Sequence, residues 1–288
     1  MHTHIFKSLT RGFFSVFLLG FMAVSQAAET GLLWKMEAPN GTVSHVFGTI
    51  HVDDPRVTDF SPALVQALQD SEIFMMEALP PSDSSIYFVP DYKLRDELTE
   101  QEWQKVMELA ELHAMSEEMV LHMKPWLLAM IFDLPKSQSP YTQDILLVAR
   151  AQQQSKQIFG LEDMHEHFTL LDSFSREEQL TMLRSVLKRS QQEKERDFEN
   201  LLNAYLKGDA AVIAAIDEEV TGDMLPPELW DRMRVKLIDE RNALMAERIA
   251  EKAKDNSLFV AVGAAHLAGE EGILARLRKA GYKVMPVK

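Results

Sequence analysis

The sequence predicts a mixed α/β fold: one central sheet built from strands at both ends of the chain, with a large helical insert over about residues 99–254. Three observations predict it. Short apolar runs bounded by turn residues lie near the N-terminus, and two more, Leu258–Ala264 and Tyr282–Val287, close the chain. The stretch between them carries helical spacing, capping residues and many charges instead. Strands this far apart must pack together to bury their faces, so the two ends are expected to meet in one sheet.

In order, Gly31–Glu37 reads as a first strand and Val43–Ile50 as its return partner. Pro39-Asn40-Gly41 joins them, since Asn-Gly supplies the positive-φ positions of a hairpin turn. Ser61-Pro62 opens a helix through Leu68, with serine as N-cap and proline at the first helical position. Ser71–Glu77 is a third strand ending in a carboxylate, and Pro80–Ser85 is a loop. Thr99-Glu100-Gln101-Glu102 is a capping box ahead of Trp103, Val106, Met107 and Ala110. Met119–Leu134 is apolar around Lys124-Pro125-Trp126, a helix entered through proline. Tyr141–Gln153 is a helix whose buried face is expected to be Ile145, Leu146, Val148 and Ala149. Gln157–Glu162 reads as a short strand among the helices, again with a terminal carboxylate. Arg176–Lys207 reads as one long charged helix with a single apolar stripe. Asp209 caps a helix to Val220, and Pro226-Pro227 starts another that runs to Lys254. The final strand–helix–strand unit ends its helix at Gly281 and predicts a parallel pairing with a right-handed crossover.

The composition bounds the function. With 288 residues and 46% hydrophobic content the chain can bury a sizeable core, and the whole of 28–288 is expected to form a single domain. A formal net charge of −14 argues against nucleic acid or an anionic membrane as partner, because both require basic patches. Residues 1–27 read as a signal peptide: Lys7 and Arg11 precede the apolar run Phe13–Val24, and Ser25-Gln26-Ala27 supplies small residues for cleavage before Ala28. The expected location is periplasmic or secreted, with no membrane span in the mature chain; an uncleaved anchor is the alternative. There is no cysteine, which removes disulfides, thiol nucleophiles and Cys-ligated metals.

Two apolar strands each end in Gly-x-x-His: Gly48–His51 and Gly263–His266. Paired imidazoles at the C-terminal edge of a sheet stand where α/β proteins place their sites, and neutral imidazole is a common ligand of transition metals. Glu77 and Glu162 end apolar runs and would complete a mixed N/O set for Zn, Mn, Co or Fe, or one of them would be the general base for a metal-activated water. The bland reading makes these histidines structural and the glutamates surface groups. Arg241, within Arg241-Asn242, can stabilise an oxyanion if buried. His45 is expected to be distal, His165-Glu166-His167 to be an exposed tract, and the methionines to be core filler. Helical zinc-binding, serine-hydrolase, nucleotide-loop and dinucleotide motifs do not occur.

These pieces, with Leu33-Trp34-Lys35, Phe47–His51, Met76-Glu77, Lys124-Pro125-Trp126, Gly160-Leu161-Glu162, Arg241-Asn242, Val260–Leu267 and Gly281–Val284, resemble the TraB/GumN family, related to the Tiki proteins. The resemblance spans nearly the whole mature chain and implies an EreA/ChaN/Tiki-like fold. It implies a metal-dependent hydrolase, peptidase-like, acting on a peptide or protein. His51, His266 and Glu77 would hold a divalent ion (Mn, Co, Fe or Zn), with Glu77, Arg241 and Glu162 as catalytic candidates. An aspartate pair common in the family before Gly-Leu-Glu is replaced by Tyr141-Thr142-Gln143-Asp144. The alternative is a non-catalytic binding or accessory protein for a peptide or for polysaccharide and envelope assembly.

Overall fold

The two ends of the chain share one sheet. The computed structural model describes residues 30–81 and 83–287; the signal segment read at 1–27 lies outside them. The strands are β1 (Leu33–Glu37), β2 (Val43–Thr49), β3 (Ile73–Ala78), β4 (Gln157–Glu162), β5 (Leu258–Gly263) and β6 (Lys283–Pro286). Their order is β4-β3-β5-β2-β1-β6. β4, β3, β5 and β2 run parallel, while β1 pairs antiparallel with both β2 and β6. The expected mixed fold with a helical insert is therefore present, and the insert itself contributes β4 to one edge.

One expectation is corrected by this order. β6 does not pair with β5, because β2 docks on β5 in parallel register, Thr49 opposite Gly263, and carries β1 with it. The hairpin fills the position beside β5, and β6 pairs with β1 beyond it.

Both faces of the sheet are covered, which explains why β5 is apolar at successive positions rather than alternate ones. On one face Val46, Met75, Val260 and Val262 pack beneath the helices Arg241–Lys252 and Ile273–Lys279, through Met245, Ile249 and Leu277. On the other, Phe47, Phe74 and Phe259 meet Leu64 and Leu68 of the helix Pro62–Asp70 and Leu147 and Ala151 of the helix Gln143–Gln153. Each fully buried large apolar side chain contributes roughly 1.5–3 kcal/mol by leaving water. A separate helical core gathers Trp103, Val106, Trp126, Phe132, Leu183 and Val186.

Three helical details differ from expectation. The long charged segment is two helices, Arg176–Lys188 and Gln191–Leu206, because Ser190 caps the second with Glu193 in a capping box. Met119–Leu134 holds the expected helix entered through proline, Pro125–Asp133, and also the end of an unanticipated one before it, Glu117–His122. The helix Gln143–Gln153 leaves Ile145 exposed and buries Gln143 and Asp144 instead. Its rotation is set by polar contacts: Gln143 accepts from the Ile50 N–H and donates to the Val57 carbonyl.

Parallel β2, β3, β4 and β5 all end at the same edge, so Gly48–His51, Glu77, Glu162 and Gly263–His266 are delivered there together. The long C-terminal helix approaches that edge as well. It runs from Pro227 to Lys252, with a π-helical segment at Val235–Glu240 immediately before Arg241.

Candidate functional site

Close packing explains the first glycine of the site. A Cβ on Gly48 would lie 2.6 Å from Leu267 Cδ1 and 3.1 Å from Ala264 Cα. Glycine thus lets the end of β2 lie against the turn that follows β5 and brings the two Gly-x-x-His segments together. Gly263 has an ordinary backbone, φ −53°. A Cβ there would project into a cradle, 3.0 Å from Glu77 Oε1, 3.5 Å from His266 Cδ2 and 3.8 Å from His51 Nε2.

Both histidines are oriented from behind. His51 Nδ1 is 2.7 Å from Asp144 Oδ2, and His266 Nδ1 is 2.7 Å from Asn242 Oδ1. An acceptor at Nδ1 holds the proton there and leaves Nε2 as the working nitrogen, the arrangement that orients metal-binding imidazoles. Asp144 stands in the segment that departs from the family pattern, so its role was not legible from the Gly-x-x-His motifs. Tyr205, also unanticipated, places its hydroxyl 2.7 Å from the Gly48 carbonyl and 2.9 Å from Gln143 Oε1, tying the insert to this loop.

Arg241 is the hub of the cluster, buried rather than on a solvated face. Its Nε–H is shared between the two Glu162 oxygens at 3.1 and 2.9 Å. One terminal nitrogen donates to Glu162 at 2.7 Å and to Glu77 Oε2 at 2.6 Å. The other donates to the Leu237 carbonyl at 3.2 Å and faces His266 Nε2 at 3.2 Å. All five N–H donors are engaged. Glu77 Oε1 also accepts from the Gly263 N–H at 2.5 Å and lies 3.8 Å from His266 Nε2.

The electrostatics separate the groups. Burial opposes ionisation of Glu77, but His266 when charged, Arg241 and His51, with the Gly263 N–H, hold its pKa well below the usual carboxylate range. Burial also lowers His266, to about 4, and Arg241 beside it opposes a second positive charge, so its ring is neutral near pH 7. The protein around His51 disfavours its charged form, yet the Asp144 hydrogen bond and charge outweigh this and raise it to about 9. The His51 side chain is 62% exposed and opens toward solvent.

Five predicted site residues, His51, Glu77, Glu162, Arg241 and His266, thus share one edge. Glu162, whose bland reading was a surface carboxylate, is 5% exposed. In the His165-Glu166-His167 tract, His165 and Glu166 are exposed as expected, but His167 is not: its side chain is 18% exposed and its Nδ1 lies 4.0 Å from Glu162 Oε2. The helix Met164–Asp172 begins directly after β4 and turns this ring inward. Among the described residues, no three His, Asp or Glu side chains stand close enough as placed to hold one ion together. The donor chemistry nevertheless fits a divalent ion: two imidazoles with Nδ1 engaged, and a carboxylate, border the cradle at Gly263.

A parallel-strand edge carrying paired Gly-x-x-His segments, a buried arginine and two glutamates defines the class of protein. The chain belongs to the TraB/PrgY/gumN family, whose description it matches over residues 32–286. An uncharacterized protein of Treponema pallidum (strain Nichols) is similar to it, 23% identical over 273 residues, covering 86% of this chain and 80% of that protein.

Proposed function

We propose that this chain is an exported metal-dependent hydrolase acting on a peptide or protein substrate. The observation that carries the reading is the convergence of His51 Nε2, Glu77 Oε1 and the His266 ring on the cradle at Gly263. His51, His266 and Glu77 would hold a divalent ion (Mn, Co, Fe or Zn), which when bound supplies Lewis acidity and lowers the pKa of water. Asp144 and Asn242 fix the tautomers that present both Nε2 atoms. Arg241 locks Glu77 and Glu162 in place and keeps negative charge at the edge. Its N–H now facing His266 becomes available to a substrate carbonyl oxygen once that nitrogen is otherwise engaged, and would stabilise an oxyanion there. The signal-like residues 1–27 support export. Among the described residues no helix is long and apolar enough to cross a membrane.

The test is metal analysis of protein purified without a histidine tag, followed by hydrolysis of a quenched fluorescent peptide library. Stoichiometric Mn, Co, Fe or Zn, lost in His266→Ala together with hydrolysis, supports the reading. Stoichiometric metal without hydrolysis favours a binding or accessory protein. If none of the four ions binds and His266→Ala changes nothing, the metal-dependent reading is lost.

A further inference from the structure

One residue, Gln143, holds the backbone on both sides of His51. His51 sits at the apex of a three-residue turn, closed by the Val52 N–H donating to the Ile50 carbonyl at 2.8 Å. Gln143 takes the outer groups of that turn. Its side-chain oxygen accepts from the Ile50 N–H at 3.0 Å, and its own backbone N–H donates to the Val52 carbonyl at 3.0 Å. Its amide nitrogen donates to the Val57 carbonyl at 2.7 Å, in the short helix Pro55–Thr58 that follows.

The local sequence makes these bonds available. Gln143 opens the helix Gln143–Gln153, so its N–H is one of the donors that a helix start leaves without an internal partner. The side-chain amide meets a donor at its oxygen and an acceptor at its nitrogen, which admits one orientation. Tyr205 braces the contact from behind, its hydroxyl 2.7 Å from the Gly48 carbonyl and 2.9 Å from the Gln143 side-chain oxygen. Gln143 is 1% exposed and Tyr205 4%, so water has little access to these bonds.

The two halves of the site differ in what holds them. His266 is buried, and packing on every side limits its ring. The His51 side chain is 62% exposed, so its direction follows from its backbone and from the Asp144 hydrogen bond. A turn closed by one hydrogen bond is a weak constraint by itself. We propose that Gln143 is a positioning residue of the site: it clamps the His51 turn so that Nε2 is aimed at the cradle by Gly263. Asp144, next in the chain, orients the ring. The clamp rests on the metal-binding part of the reading above, and it acts through backbone groups without touching ion or substrate.

The test compares the wild-type chain with two variants. Gln143→Met keeps the backbone N–H and the side-chain length but loses both side-chain bonds; Tyr205→Phe loses only the hydroxyl. Calorimetric affinity for the ion that the wild type binds is expected to fall about 10–100-fold in folded Gln143→Met, as for other groups that orient ligands. Tyr205→Phe should change it in the same direction. In ion-free protein the ring ¹H–¹⁵N signals of His51 should move in both variants, and those of His266 should move less. A role confined to stability predicts a lower melting temperature with affinity and His51 signals as in the wild type. That result overturns the proposal and leaves the metal reading intact. Where Gln143→Met does not fold, Tyr205→Phe decides by the same two measurements. A wild type that binds none of the four ions removes the reading above. The ion-free His51 signals then decide the clamp alone, moved in its favour or unmoved against it.

Discussion

Arg241 and Glu162 form a two-pronged ion pair almost out of contact with water, at 2.9 and 2.7 Å, with side chains 7% and 1% exposed. Glu77 shares the same guanidinium, so one cation answers two carboxylates at the end of the sheet. Removing one partner of such a pair leaves charge buried and uncompensated, which costs about 3–5 kcal/mol. Arg241→Ala should therefore lower unfolding stability by that order, measured as a shift in urea midpoint. A loss within about 0.5 kcal/mol, the range of an ordinary surface substitution, would mean that the pair is not closed in solution.

Gly263→Ala separates the cradle from the fold. The backbone at Gly263 suits alanine, so stability should change by less than about 1 kcal/mol. The new methyl group would meet Glu77 Oε1, His266 Cδ2 and His51 Nε2. Metal affinity by calorimetry should fall at least about tenfold, as for other changes that displace ligands. Unaltered affinity would place the ion elsewhere.

Gly48→Ala makes the opposite prediction. Its Cβ would meet the Ala264 backbone at 3.1 Å as well as Leu267 Cδ1. A backbone contact cannot be relieved by a rotamer change, so the variant should lose about 1–3 kcal/mol. Thermal unfolding measures this directly, and a neutral result would show that the two Gly-x-x-His segments do not pack as described.

The Asp144 hydrogen bond and charge raise the His51 pKa, so Asp144→Asn should bring it down from about 9, as followed by NMR titration. A raised pKa means that the pair stabilises the fold fully below the unfolded histidine value of 6.5, a contribution lost as pH rises through the folded value. With His51 62% exposed, the pair contributes at most about 1 kcal/mol. No change in the His51 pKa would remove Asp144 from this role.

His167 and His266 act in the other direction. Both are lowered to about 4, so between the unfolded value of 6.5 and that pH the unfolded chain binds protons that the folded chain refuses. Each ring should cost up to about 1.4 kcal/mol of stability per pH unit on acidification through this window. Denaturant midpoints between neutral pH and the onset of carboxylate titration should show the slope, and His167→Gln should reduce it. An identical slope would mean that His167 titrates as an exposed histidine.

The sequence by itself determined the strands, the starts of many helices and the two Gly-x-x-His segments, because these depend on local periodicity, capping and turn chemistry. It also put His51, Glu77, Glu162 and His266 at strand ends, which suffices to bring them to one edge when the strands are parallel. The tertiary structure alone decided the rest. Strand order depends on which edges meet, so the pairing of β6 with β1 rather than β5 has no local signature. Asp144 and Tyr205 look like ordinary helix residues until the packing of their helices aims them. His167 sits beside two exposed residues and is turned inward only by the direction in which its helix leaves β4. Local sequence fixes which residues form an element; the rotation of that element against its neighbours, set by burial across the whole chain, decides which side chains reach the site.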